Sequence, residues 1–175
     1  MKTTTRKLTL SAVFLSIGLV LPLFTMQIKE IGDTLLPMHL PVMLCGLLCG
    51  PLWGGSVGLI LPFLRSAIFS MPPMYPNAVW MAAELAAYGF IIGFVYNRTR
   101  KNILGIYISL ITAMLGGRLV WGAVKALLLG LAGKGFTFTA FLVGGFVDAL
   151  LGIVLQLILV PIIVRLFERK KVLTK

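Results

Sequence analysis

Of the chain's 175 residues 59% are hydrophobic, and the mean hydropathy is +1.02; a soluble domain holds roughly half apolar residues even with glycine counted, so a soluble globular fold is excluded. Sixteen Lys and Arg against five Asp and Glu give a net charge of +11, but the basic residues gather in clusters beside apolar runs instead of forming a stripe, which excludes a nucleic-acid-binding face. An integral membrane protein remains, with room for about six spans of roughly 20 residues each in a single all-α domain over 1–175.

The predicted spans are 8–27, 37–50, 52–70, 77–97, 103–131 and 138–167. Before the first stand Lys2, Arg6 and Lys7, as before a signal peptide. The apolar run from Leu8 to Met26 is longer than a signal core and has no small-x-small cleavage site near its end, so it reads as a retained helix. Ala12 and Ser16, four residues apart, form a small-xxx-small face that admits another helix closely, either from this bundle or from another protein. The second and third spans are interrupted by Pro37, Pro41, Pro51 and Pro62 and crowded with glycines at 46, 50, 54, 55 and 58. Broken helices are tolerated at membrane depth only where protein or a cavity satisfies the freed backbone groups. The alternative, a re-entrant hairpin, would spoil the alternation of the charged ends. Cys45 and Cys49 lie one turn apart with no further cysteine, which reads as packing and gives no metal site.

The fourth span places Asn77, Trp80, Glu84 and Tyr88 on one face at i, i+3, i+7 and i+11, and the fifth repeats the pattern with Arg118, Trp121 and Lys125. Asp148 falls in the sixth. Basic clusters at Arg98, Arg100 and Lys101 and from Arg165 to Lys175 join the first one on a single side, so the positive-inside rule puts both termini in the cytoplasm.

With those directions Arg65, Glu84, Arg118, Lys125 and Asp148 all fall between the midplane and the outer surface. A charge at membrane depth costs several kcal/mol unless it meets a cavity, a partner or a ligand. Two readings compete: structural ion pairs, Arg65 with Glu84 and Arg118 with Asp148, or a pocket open to the outside. Three cations against two anions leave a positive surplus, which an anionic ligand compensates most simply. The loops Leu36-Pro37-Met38-His39 and Met71-Pro72-Pro73-Met74-Tyr75-Pro76 suit lids over such a pocket, with His39 and Tyr75 at its rim. An aromatic at the boundary, Tyr75 or Trp80, serves equally as an interfacial anchor. No HExxH, GxSxG or complete phosphate loop occurs, so neither an enzyme nor an ATPase is expected. A membrane scaffold or small channel is the alternative from another class.

The stretch from Leu35 to Ser66, with the H-x-P-V-x-x-x-G-x-x-x-G-P pattern from His39 to Pro51, the MPPMYP at 71–76 and the AAELAAYGFIIGFVYNR at 82–98 resemble the substrate-binding S component of an energy-coupling factor (ECF) vitamin transporter. That resemblance implies a six-helix protein of the bacterial cytoplasmic membrane. It would bind a vitamin from outside, without a cofactor or metal, and deliver it through a membrane T protein carrying two ATPase subunits. It also implies that Ala12 and Ser16 occupy the family's Ala-xxx-Ala docking motif, from which Ser16 departs. The pantothenate subgroup is the most similar; nicotinate, folate and cobalamin stay open. Arg65, Arg118 or Lys125 would pair with a carboxylate, and Asn77, Glu84 and Asp148 would bind hydroxyl and amide groups.

Overall fold

A computed structural model describes residues 3–25 and 34–169. The charges at Lys2, Lys29, Glu30, Asp33, Lys170, Lys171 and Lys175 lie outside the described residues. All regular structure among the described residues is helical: α1 (Thr3–Val20), extended by a 3-10 turn at Leu21–Thr25, then α2 (His39–Cys49), α3 (Pro51–Phe69), α4 (Val79–Arg98), α5 (Ile103–Leu131), α6 (Phe138–Leu142) and α7 (Leu150–Arg169).

Local chemistry sets these boundaries. Gly50 turns the chain from α2 into α3 at φ 105°, in the left-handed region that favours glycine, and Pro51 follows at the first helical position, where its missing N–H costs nothing. The Asn102 side chain caps α5 by accepting from the Gly105 amide at 2.8 Å, and Thr137 caps α6 through Ala140 at 3.2 Å. Pro62 sits inside the unbroken helix Pro51–Phe69, so the interruption expected there does not occur.

Five stretches are long and apolar enough to cross a membrane: Thr4–Phe24, Pro51–Phe69, Met74–Arg98, Ile103–Leu131 and Leu150–Phe167. The second predicted span departs from this. Helix α2 has 11 residues, about 16 Å at 1.5 Å per residue, against a hydrocarbon core of about 30 Å. The last predicted span divides into α6, a π turn at Val143–Val147 and α7.

Small residues draw α2, α3 and α4 together. A Cβ on Gly89 would collide with the Gly54 carbonyl, one on Gly46 with the Gly89 carbonyl, and one on Gly58 with the Leu85 carbonyl. Among apolar helices in lipid, such backbone-to-backbone approach supplies the association that hydrophobic burial supplies in water. Around this seam Val42, Met43, Leu61, Leu85, Ile92, Ile106, Leu110, Val160 and Val164 form the core. Cys45 and Cys49 are buried in it as free thiols, Cys45 Sγ lying 3.4 Å from Ser11 Oγ.

Candidate functional site

A cavity of about 520 Å³ opens at one end of the bundle, within the range usual for small-molecule sites. The turn after α1 contributes Pro22, the start of α2 His39, the end of α3 Arg65, the start of α4 Trp80 and Glu84, the outer turns of α5 Lys125 and Leu129, and the turn after α6 Gly144 and Asp148. Successive elements therefore alternate in direction, and the described chain ends both lie opposite the cavity.

All five intramembrane charges read from the sequence border this one cavity, with Asn77, Trp80, Trp121 and His39 beside them. Two expected residues stand apart. Tyr75 is 65% exposed and lies off the lining, because its backbone is extended at the bend before α4 (φ −128°, ψ 136°). Tyr88 is buried below the cavity, its ring edge-on to His39 with centroids 4.9 Å apart.

The floor is a three-residue polar cluster. Glu84 Oε1 accepts from Arg118 Nη1 at 2.7 Å and lies 3.3 Å from His39 Nε2, and all three side chains are buried. A carboxylate oxygen only accepts, so His39 Nε2 is the donor in this contact. The pairings weighed from the sequence are thus not the ones formed: Glu84 goes to Arg118, not to Arg65. Arg118 and Glu84 meet because α4 and α5 pack side by side with their polar stripes facing, a choice that helix spacing alone leaves open. Buried and hydrogen-bonded, the pair holds α4 to α5 at a fixed register.

The other two cations are held differently. Arg65 Nη1 donates to the Leu19 carbonyl at 3.0 Å, near the end of α1, and its guanidinium lies 5.5 Å from the Phe69 ring. Lys125 Nζ is surrounded by rings, 4.4 Å from Trp121, 5.3 Å from Trp80 and 5.4 Å from Phe136. Cation–π attraction to these rings draws the half-buried ammonium to this position. Asp148 faces the cavity from an exposed position.

Sequence reasoning passed over Phe136 and Phe141, which flank Trp121 at 6.0 and 6.1 Å, and Met81 and Leu129 in the wall. Leu129 was legible: it lies one turn beyond Lys125 on the stripe already recognised. Gln156, buried in α7, is a further polar residue that the sequence reading did not single out.

A comparison with family profiles matches residues 6–164 to "ECF transporter, substrate-specific component". The chain belongs to that family. No curated protein and no solved structure matches it. Family membership makes this substrate-specific component part of a membrane transporter and not an enzyme, with a small-molecule substrate and with ECF T and ATPase modules as its partners.

Proposed function

We propose that this S component captures a small anionic vitamin, pantothenate or a close analogue, in the cavity from outside the cell. It passes the vitamin inward through a T protein and two ATPase subunits that drive import across the bacterial cytoplasmic membrane. The observation that carries this reading is the convergence of Arg65, Arg118, Lys125, Glu84 and Asp148 on one cavity with three positive charges against two negative. An anionic ligand in the cavity would neutralise that surplus. The volume of about 520 Å³ lies within the range of small-molecule sites. A channel is disfavoured because the packed layer of Tyr88, Ile92, Ile106 and Leu110 lies beneath the cavity floor.

In this reading the chain forms one domain of six crossings, with α2 and its neighbouring residues as the short one, and both termini face the cytoplasm with the basic clusters. The test is ligand binding by purified protein: pantothenate is expected to raise the melting temperature and to appear by mass spectrometry in protein purified from cells. Failure of pantothenate, nicotinate and folate alike to bind or stabilise the protein would overturn the proposal.

The docking face in this proposal is the outward side of α1. Ser11 is buried and Gly18 packs against Leu61 and Pro41 within the bundle, whereas Ala12 and Ser16 are exposed. Ser16 Oγ donates to the Ala12 carbonyl at 2.9 Å, which ties the hydroxyl to its own helix and leaves a small surface at the position where the family has alanine. Replacing both residues by tryptophan is expected to abolish copurification with the T protein while vitamin binding by the isolated S component stays within about twofold, since helix contacts in lipid depend on close approach. Undiminished copurification of the double variant would remove Ala12 and Ser16 from the interface.

A further inference from the structure

We infer that the groove between the start of α5 and the end of α7 binds an anionic phospholipid, with the phosphate on Arg165 and an acyl chain along the apolar part. This surface is remote from the cavity, and the inference does not depend on which vitamin is bound. Lys125 and Leu129, near the end of α5, border the cavity, as does Asp148 just before α7. Ile103 and Arg165 therefore lie at the opposite end of the bundle. There a recess of about 400 Å³ runs between the two helices, with Ile103 and Tyr107 on the α5 side and Ile158, Ile162 and Arg165 on the α7 side. Pro161, buried, belongs to the same lining.

Apolar helix faces meet acyl chains without discrimination, but this recess carries two polar groups near the helix ends. From Ile158 to Arg165 is about 10 Å along α7, so a length of acyl chain fits beside the isoleucines while the headgroup reaches the guanidinium. Arg165 is exposed, and neither it nor Tyr107 makes a hydrogen bond or ion pair among the described residues. A guanidinium donates to phosphate oxygens in pairs, and a tyrosine one turn inside a membrane helix offers its hydroxyl at headgroup depth. The sequence at the two helix ends adds a field of the right sign: segments 98–102 and 165–169 hold Arg98, Arg100, Lys101, Arg165 and Arg169 against Glu168 alone. Such a surplus attracts a headgroup of net negative charge and repels the ammonium of a zwitterionic one. Basic recesses between membrane helices bind acidic lipid headgroups for this reason.

The test is native mass spectrometry of the full chain, stripped of copurified lipid in detergent and titrated with phosphatidylglycerol or with phosphatidylcholine of the same acyl chains. Phosphatidylglycerol is expected to bind as a single retained adduct, at least about fivefold more tightly than phosphatidylcholine. Arg165→Ala should remove that preference. Ile158→Trp, which fills the recess from a position 55% exposed, should weaken both lipids. Arg6→Ala, an equal loss of charge outside the recess, should leave the preference intact. Equal binding of the two lipids, an Arg165→Ala variant that keeps the preference, or an Ile158→Trp variant that binds both like wild type would each overturn the site. An equal loss in Arg6→Ala and Arg165→Ala would reduce it to diffuse attraction by a basic surface and overturn it too. A dimer in place of the lipid adduct would give the groove to a second copy of the chain, with the same consequence. If Arg165→Ala does not fold, the lipid preference of wild type and Arg6→Ala, set against Ile158→Trp, still decides.

Discussion

Glu84→Ala is expected to cost about 3–5 kcal/mol, because it strips the acceptor from a buried guanidinium and leaves its charge unpaired. Arg118 would keep Nη1 as a third buried donor without an acceptor, beside Nε and Nη2, and His39 Nε2 would lose its partner too. Glu84→Gln keeps the shape and one acceptor oxygen but removes the negative charge, so it should fall between alanine and wild type. Asp148→Asn, at an exposed position that takes no part in the cluster, should stay within about 0.5 kcal/mol of wild type, as surface substitutions usually do. Thermal unfolding in detergent followed by tryptophan fluorescence ranks the three. Equal stability of Glu84→Ala and wild type would show that the cluster does not hold α4 to α5. Arg118→Ala would expose the mirror-image fault of a buried carboxylate without its cation, so Arg118→Lys is the gentler variant at that position.

The second large effect is expected at Gly89. Valine there places a Cβ against the Gly54 carbonyl, backbone against backbone, so no rotamer change relieves the clash. Overpacking between side chains costs about 1–3 kcal/mol; here α3 and α4 would have to separate, and the contacts of Gly46 and Gly58 along the same seam would go with them. Gly89→Val is expected to yield no monodisperse protein on size exclusion. Gly130 provides the control, since a Cβ there would meet nothing within 4 Å and the residue lies in the exposed outer turn of α5. Gly130→Ala should be neutral or slightly stabilising through helix propensity, by at most about 1 kcal/mol. A folded Gly89→Val with wild-type melting would contradict the close approach of the two helices.

Much of this architecture was legible in order along the chain. The apolar runs marked α1, α3, α4 and α5, since a membrane helix must carry its own backbone hydrogen bonds and an apolar surface over a fixed length. The charges singled out by their cost in lipid all reached the cavity, and the same energetic rule explains why: a charge at that depth has few places to go. The prolines misled because proline chemistry is local, whereas a neighbouring helix decides whether the kink is absorbed; Pro62 stays within α3 as that helix packs against α4. Tyr75 was misplaced by the same limit, a bend whose direction depends on what the chain packs against.

Sequence alone determined that this protein is an all-helical membrane bundle with ionisable residues set within apolar stretches, because length, apolarity and charge placement act on each helix separately. Which cation meets which carboxylate, and which donors are left over, only the tertiary structure decided. Pairing depends on the rotation and register of α4 against α5, set by glycine contacts and side-chain packing between elements far apart in the chain. The Glu84–Arg118 bond at 2.7 Å and the burial of that guanidinium are products of that packing.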